Sequence, residues 1–195
     1  MTKNILLTGI GGQGTILTGK ILTLGLLEAG YDVKMSEIHG MSQRGGSVTT
    51  QIRFGEHVES PVIGRKSTDI MIAFEKMEAL RNLPYMKKDG CIILDDCEIP
   101  SMSVISGKEK YAGDITQKLS QAVTVKTINA SALACQLGNK KASNMILLGA
   151  LINKMHLENI DWEDLLEKTI KPAFWDINTK ALGMGMAVMD ECSPC

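Results

Sequence analysis

Hydrophobic and polar positions along the chain form blocks that predict strands and helices in alternation. The apolar run Ile5–Leu7 is followed by a glycine-rich turn and then by apolar residues at helical spacing over residues 16–30. That order predicts a strand, a tight turn and a helix, which together open a βαβ unit. Val33 and Met35 alternate with polar neighbours and predict a second strand over residues 31–37.

Short runs of β-forming residues and longer helical periods continue this alternation. The predicted strands cover residues 47–54, 71–74, 91–96 and 123–128, and the predicted helices cover residues 75–83, 114–121, 130–137, 143–155, 161–170 and 173–184. Residues 97–113, which contain proline and glycine, are predicted to form a loop or a minor hairpin. The whole pattern predicts one α/β domain over residues 1–195. Its Rossmann-like doubly wound sheet is mostly parallel, with an antiparallel strand or hairpin, and residues 129–195 are mainly helical.

Composition narrows the classes of function. A net charge of −1 argues against a nucleic-acid-binding protein, because there is no basic excess to neutralise phosphates. The sequence shows no amino-terminal signal and no uninterrupted apolar span of 18 residues, so we expect a cytoplasmic protein with no membrane association. The five cysteines are expected to be reduced thiols, and the isolated pair Cys192 and Cys195 lacks the partners of a metal site, so no metal is predicted.

The glycine-rich turn is the first candidate site. Its residues are Gly9, Gly11, Gly12, Gln13 and Gly14. The spacing formally matches the dinucleotide-binding fingerprint, and the first amides of the following helix have no partners within that helix. Two interpretations stay open: a nucleotide site, or a bare backbone turn that packs closely against another protein surface. The additional glycine and the amide inside the motif favour the second interpretation.

A second cluster of polar and glycine residues follows the second predicted strand. It contains Glu37, His39, Ser42, Gln43, Arg44, Gly45 and Gly46. In a doubly wound sheet the loops after the first two strands lie side by side, so we expect this cluster to meet the glycine turn. Arg44 offers a bidentate fork to a carboxylate or phosphate. Glu37 would bind the ribose of a dinucleotide, and His39 either titrates near neutrality or is a hydrogen-bonded loop residue.

Two further features carry polar chemistry. Asn144 lies near the start of an apolar helix, where its amide either caps the helix or reaches a ligand, and Gly149 allows close approach of another helix. Asp95 and Asp96 end a predicted strand, and we interpret them as solvated loop carboxylates rather than metal ligands.

Three segments taken together resemble the gamma-type subunits or domains of the 2-oxoacid:ferredoxin oxidoreductases. They are Gly9–Gly14, Ser36–Val48 and, more weakly, Asn144–Gly149. The run Glu-Ile-His-Gly-Met-Ser-Gln-Arg-Gly-Gly is most similar to the small (beta) subunits of indolepyruvate ferredoxin oxidoreductases. Relatives that act on pyruvate, 2-oxoglutarate or branched-chain oxoacids usually carry a Tyr-Gly-Pro-containing lead into the same Arg-Gly-Gly.

The resemblance implies a subunit that is inactive alone. The complex would decarboxylate a 2-oxoacid on thiamine diphosphate, pass electrons through iron–sulfur clusters to ferredoxin and form an acyl-coenzyme A. A large partner subunit would hold the thiamine diphosphate and the clusters, and this chain alone would bind no cofactor. The amides of Gly11–Gly14 would then face an interface or the coenzyme A side of the site, with Gln43 and Arg44 towards an anionic ligand or a partner carboxylate. No catalytic residue is assigned.

Three alternatives to this interpretation remain open. The first is a free nicotinamide- or flavin-binding Rossmann protein, the second is a non-catalytic interaction module that kept the fold, and the third is the small subunit of an enzyme for another 2-oxoacid. The 12 methionines also make a homodimer of the isolated chain plausible, through an exposed apolar face.

Overall fold

The computed structural model describes residues 2–40 and 45–190 and has a six-stranded sheet as its centre. The strands are β1 (Lys3–Ile10), β2 (Asp32–His39), β3 (Ser47–Gly55), β4 (Thr68–Ala73), β5 (Met86–Asp95) and β6 (Thr124–Ile128). The α-helices are α1 (Thr15–Glu28), α2 (Lys76–Asn82), α3 (Met102–Ile105), α4 (Ile115–Ser120), α5 (Ala130–Gln136), α6 (Ser143–Met155), α7 (Trp162–Thr169) and α8 (Trp175–Asp190). Single 3₁₀ turns cover Leu83–Tyr85, Lys140–Ala142 and Pro172–Phe174.

The strand order is β2-β3-β1-β4-β5-β6, which confirms the predicted mixed α/β sheet. Strands β1, β4, β5 and β6 are parallel, whereas β3 runs antiparallel to both β1 and β2. The connection from β2 to β3 spans only residues 40–46, which is too short for a parallel crossover and therefore makes a hairpin-like return. The sheet thus departs from a strictly doubly wound order, in which β2 would lie beside β1.

Helices cover both faces of the sheet, and the alternation of side chains along β1 separates two cores. Ile5 and Leu7 pack in the larger core, beneath α1 and the carboxyl-terminal helices. Leu6 packs on the other face, in the smaller core beneath α2 and α4. The period of two along a strand is what sends neighbouring apolar residues to opposite cores.

The carboxyl-terminal third is helical, as predicted, and two of its helices approach each other unusually closely. A Cβ atom added to Gly149 in α6 would lie 2.1 Å from the carbonyl oxygen of Leu182 in α8. A Cβ added to Gly185 in α8 would lie 2.0 Å from the carbonyl oxygen of Ile146. The predicted role of Gly149 in helix–helix approach is confirmed, and its partner across the contact is another glycine.

Between β5 and α4 the chain forms a loop that contains the short helix α3, and no strand lies there. The loop prediction for residues 97–113 is confirmed and the alternative of a hairpin is wrong. The side chain of Ser101 accepts a hydrogen bond from the amide of Val104, which starts a helical turn where the scattered β-forming residues had no partner strand.

The interpretation of Asp95 as a solvated loop carboxylate is wrong. Only 1% of Asp95 is exposed, and its carboxylate accepts hydrogen bonds from the hydroxyl of Ser131 (2.9 Å) and from its amide (3.4 Å) at the start of α5. Burial raises the pKa of Asp95 above its ordinary value, against the opposing effect of these hydrogen bonds. Asp96 does lie exposed, and it pairs with Lys76 at 2.6 Å.

Asp95→Asn is expected to gain stability relative to the wild type as the pH rises. Because the folded state holds the Asp95 proton to a higher pH than the unfolded state, the folded wild type binds more protons above the ordinary carboxyl pKa of 3.8. Its free energy of unfolding therefore falls as the pH rises through the raised folded pKa, and the asparagine variant lacks that fall. Urea unfolding of both proteins across the acid range measures the difference.

Asp89→Asn is the matched control, since Asp89 is exposed in the same strand. A stability difference between Asp95→Asn and the wild type that is flat, or that shrinks as the pH rises, would contradict the linkage.

Candidate functional site

The glycine turn joins β1 to α1 at the carboxyl edge of the sheet. Gly12 and Gly14 have φ angles of 109° and 85°, in the left-handed region that favours glycine. The amide of Gln13 donates to the carbonyl of Ile10 at 3.1 Å, which closes the turn. The first hydrogen bond within α1 runs from the amide of Thr18 to the carbonyl of Gly14. The amides of the first helical turn, before Thr18, therefore have no acceptor within the helix.

The side chain of Gln13 fastens this turn to the neighbouring strand. Its Oε1 accepts a hydrogen bond from the amide of Ile10, and its Nε2 donates one to the carbonyl of Phe74, both at 2.7 Å. A Cβ on Gly9 would lie 2.9 Å from the same Oε1, which explains why glycine is needed there. Sequence analysis assigned Gln13 only a backbone role and missed this bridge, because the Phe74 carbonyl lies far along the chain.

The two predicted loops meet, as expected. The amide of Gly11 donates to the carbonyl of Gly46 at 2.8 Å, and the amide of Gly45 donates to the carbonyl of Gly11 at 3.1 Å. We call Gly11–Gly14 together with Gly45 and Gly46 the glycine rim. The two loops meet because β3 pairs with β1, and its first residue, Ser47, lies opposite Ile10. The prediction from the sequence had instead derived the meeting from a doubly wound sheet, in which the loops after β1 and β2 lie side by side. Ser42, Gln43 and Arg44 lie outside the described residues, and their roles stay predictions.

Glu37 and His39 lie on β2, the exposed edge strand of the sheet. The Nδ1 atom of His39 is 3.1 Å from the carbonyl oxygen of Gly40. Strand β3 separates β2 from β1, so Glu37 is two strands from the strand that precedes the glycine turn, or about 10 Å across the sheet. A dinucleotide site of the usual kind needs these strands side by side, so the structure does not bring Glu37 to the ribose position.

Asn144, the third sequence block, packs directly against the glycine turn. A Cβ on Gly14 would lie 2.4 Å from Nδ2 of Asn144, so the asparagine occupies the space that only a glycine leaves. Asn144 is 4% exposed, and its Oδ1 accepts a hydrogen bond from the amide of Met145 at 2.9 Å. The structure therefore joins two motifs that lie far apart in the chain.

Two buried carboxylates beneath the rim were not singled out from the sequence. Glu75 is fully buried at the start of α2, and accepts hydrogen bonds from the amides of Glu78 (2.9 Å) and Ile99 (3.2 Å) and from the hydroxyl of Tyr111. Burial, followed by the hydrogen bond to Glu75, raises the pKa of Tyr111 well above its ordinary value. The only sequence signal for this site was an acidic residue directly after a buried strand.

Glu78 connects the same helix to the second loop of the rim. It accepts a hydrogen bond from the hydroxyl of Ser47 at 2.5 Å and pairs with Arg81 at 2.9 Å. The carboxylates of α2 therefore hold the start of β3 on one side and, through Tyr111, the loop after β5 on the other. We interpret this network as the support of the rim, since each carboxylate already has its partners within the chain.

Two clefts flank the glycine turn. One, of about 480 Å³, lies along the start of α1 and includes Lys20 and Val48. The other, of about 310 Å³, lies between the turn, the start of α6 and α8, and includes Lys141 and Asn144. The rim is thus accessible from two sides.

Within residues 2–40 and 45–190, no three His, Cys, Asp or Glu side chains come close enough together to hold a metal ion. In the same part of the chain, none of the helices has the length and apolar character needed to cross a membrane.

The fold and the joined loops define a Rossmann-like α/β domain that presents an open backbone rim at the carboxyl edge of its sheet. The sequence model of the family described as pyruvate ferredoxin/flavodoxin oxidoreductase matches residues 4–188. The chain therefore belongs to this family, which confirms the resemblance drawn from the motifs.

Curated relatives are subunits of oxidoreductases. The chain is 33% identical to the indolepyruvate oxidoreductase subunit IorB of Pyrococcus horikoshii, with 96% of each chain covered. It is 39% identical to IorB of Methanothermobacter thermautotrophicus over 77% of this chain and 78% of that one. The gamma subunit of a keto/oxoacid ferredoxin oxidoreductase from Geobacter sulfurreducens has the same fold, with a TM-score of 0.72 at 19% identity and coverage of 97% and 99%.

Proposed function

We propose that this chain is the small subunit of an indolepyruvate ferredoxin oxidoreductase and that its glycine rim docks onto a large partner subunit. The observation that carries the docking surface is the pair of hydrogen bonds between Gly11 and the loop of Gly45 and Gly46, which joins both family motifs into one surface. That surface is almost free of side chains, so another protein can approach the backbone closely. The names of the relatives support the assignment as a subunit, and so does the match to the Pyrococcus horikoshii protein over 96% of each chain.

In this proposal the partner subunit would hold the thiamine diphosphate, which would supply the electron sink for decarboxylation, and the iron–sulfur clusters, which would carry electrons to ferredoxin. Among the described residues, Cys91, Cys97 and Cys135 form no disulfide and lie in β5, in the loop after β5 and in α5, so these three cysteines do not make a four-thiolate set. Coenzyme A is the co-substrate of the complex. The role of this chain is structural. It holds the glycine rim in place through Gln13, Glu75 and Glu78, and it covers part of the partner's surface. We place the complex in the cytoplasm.

Coexpression with a candidate large subunit tests the assignment. The purified complex should oxidise indolepyruvate in the presence of coenzyme A and a ferredoxin-type acceptor, with a higher kcat/KM than for pyruvate or 2-oxoglutarate. The small chain alone should show no turnover. Turnover by the isolated chain would refute the assignment as a subunit, and a preference for 2-oxoglutarate would refute the substrate.

Gly45→Asn is expected to weaken assembly with the large subunit about tenfold, because the added side chain projects from the docking surface. Gly45 has a φ of 76° and open space around its Cβ position, so the variant should fold with only modest strain. Gly30→Asn is the matched control, since Gly30 has a φ of 85°, is equally open and lies after the opposite end of α1. Biolayer interferometry against the immobilised large subunit measures both, and equal effects would exclude the rim as the interface.

A further inference from the structure

A third cleft lies between the glycine rim and the loop after β5. We call this loop, residues 96–113, the strap, and the cleft the strap cleft. Its volume is about 230 Å³. Gly45 and Ser47 line it on the side of the rim, and Met102 and Val104 line it on the side of the strap. The strap cleft is therefore continuous with the surface proposed above for docking.

The strap is held near both of its ends and carries α3 between them. The amide of Ile99 donates to Oε1 of Glu75 at 3.2 Å, and the hydroxyl of Tyr111 donates to the same oxygen. Glu98, next to the first of these contacts, pairs with Lys76 at 3.0 Å. These contacts fix the strap to the start of α2, so the wall that α3 contributes to the cleft has a defined position.

The short helix α3 exposes two apolar side chains, and one of them lines the cleft. Met102 is 76% exposed and Ile105 is 66% exposed, the highest values among the large hydrophobic residues that the structure describes. The two residues are three positions apart in a helix, so they lie on one face of α3. An apolar pair beside a cleft suits a protein contact, and methionine in particular adapts to the shape of a partner.

The charges and the size of the cleft decide between a small ligand and a protein side chain. The buried carboxylates of Glu75 and Glu78 already accept hydrogen bonds from this chain, and Arg81 pairs with Glu78. An anion would meet buried carboxylates, and a cation would find their oxygens occupied. The volume of about 230 Å³ is also below the roughly 300–1,000 Å³ of most small-molecule sites. An apolar side chain of a protein fits these conditions best.

The small size of the rim indicates which protein supplies that side chain. The rim has six residues, whereas a stable protein–protein interface usually takes about 20–30 residues from each side. A large subunit that docks on the rim must therefore also cover the surface beside it. The strap cleft adjoins the rim at Gly45 and offers a concave, partly apolar seat, which is the kind of place where the side chains that dominate binding are found.

We propose that the strap cleft receives an apolar side chain of the large subunit when that subunit docks on the glycine rim, and that Met102 and Ile105 pack against the same subunit. This inference rests on the proposed function, because it names the large subunit as the occupant. Covering the two exposed side chains removes apolar surface from water, and this contributes affinity that the rim, almost free of side chains, does not supply. The carboxylates beneath the cleft keep their partners within this chain.

Biolayer interferometry of the full 195-residue chain against the immobilised large subunit tests the proposal. Met102→Asp and Ile105→Asp should each weaken binding about tenfold or more, because each places a charge in an apolar contact. Met102→Leu keeps the size and the apolar character of the side chain, so its affinity should stay within about threefold of the wild type. Since both positions are exposed in the isolated chain, the urea midpoints of all three variants should match that of the wild type.

Val62→Asp is the matched control for the added charge. Val62 is 63% exposed, close to the value for Ile105. Its carbonyl accepts a hydrogen bond from Arg53, which lies opposite Asn4 at the start of β1. The rim lies beyond the other end of β1, so Val62→Asp should bind the large subunit within about twofold of the wild type.

Hydrogen exchange of the assembled complex provides a second measurement that needs no substitution. Amides of residues 101–105 should gain protection when the large subunit binds, together with those of the rim, because the strap becomes covered. Amides of residues 59–63, around the control position, should exchange as fast as in the isolated chain. Protection of the rim without protection of residues 101–105 would contradict the proposal.

The binding experiments separate this inference from the proposed function. If Met102→Asp and Ile105→Asp both bind like the wild type while Gly45→Asn binds more weakly, the strap cleft is overturned and the rim stays the interface. An equal loss in Val62→Asp would also overturn it, as a general effect of charge. A large subunit that does not bind the wild type refutes the proposed function and, with it, the named occupant. A dimer of the isolated chain that Met102→Asp dissociates in sedimentation velocity would replace that occupant by a second copy and overturn the proposal.

Discussion

Gly149→Ala is expected to destabilise the protein by about 3 kcal/mol, because the added methyl group would clash with the backbone of a neighbouring helix. The new Cβ would lie 2.1 Å from the carbonyl oxygen of Leu182 and 2.9 Å from the amide nitrogen of Met186. Both contacts are with backbone atoms of α8, which cannot rotate away as a side chain can. The helices would have to separate, and the apolar contacts along their whole length would loosen.

Gly183→Ala provides a control on the same helix pair. Gly183 is exposed in α8, two residues before the closely packed Gly185, and a Cβ there has open space around it. That variant should gain up to about 1 kcal/mol, because alanine is the better helix former. Chemical unfolding of the three proteins measures the effects, and a loss of less than about 1 kcal/mol for Gly149→Ala would show that the helices can move apart at little cost.

Gln13→Glu is expected to cost about 2 kcal/mol of folding stability and to impair assembly of the complex. The side chain keeps its shape and can still accept from the amide of Ile10, but an ionised carboxylate cannot donate to the carbonyl of Phe74. Two oxygens would then face each other where an Nε2–H···O bond of 2.7 Å exists. The turn should detach from β4, and with it the contact between Gly11 and Gly46.

The dependence of this deficit on pH identifies its cause. A protonated carboxyl group can donate to the Phe74 carbonyl, so the stability of Gln13→Glu should approach that of the wild type as the pH falls. Gln117→Glu, at an exposed position in α4, controls for the added charge and should change stability by less than about 0.5 kcal/mol. A deficit for Gln13→Glu that stays constant with pH would argue against the lost donor as its origin.

The elements themselves were largely predictable because their signals are local. The bounds predicted for α6 agree with the structure, and at Asp161, where the next helix was predicted to begin, the side chain accepts the hydrogen bond from the amide of Asp164 that starts α7. Periodicity of apolar residues and capping chemistry act within one or two turns of chain, so they are visible in a single sequence. The structure of the loop after β5 was harder to predict, because its β-forming residues favour a strand but form a sheet only where a partner strand lies beside them.

The candidate site was predictable only in part. The rim residues Gly11 and Gly45 were identified from motifs, and the structure brings them within hydrogen-bond distance. The roles of Glu75 and Glu78 were missed, because a carboxylate in a sequence carries no sign of being buried. Asp95 was misjudged for the same reason: whether a carboxylate is solvated depends on which helix packs over it.

The amino-acid sequence by itself determined the α/β class, the order of strands and helices, the glycine turn at the first strand and the family. Only the tertiary structure decided that β3 lies between β1 and β2, that Asn144 fills the space above Gly14, and that Gly149 and Gly185 meet across two helices. The physical reason is the range of the interactions. Helices, turns and caps form between residues close in the chain, whereas strand order, burial and the partners of a buried amide depend on residues that meet only when the whole chain packs.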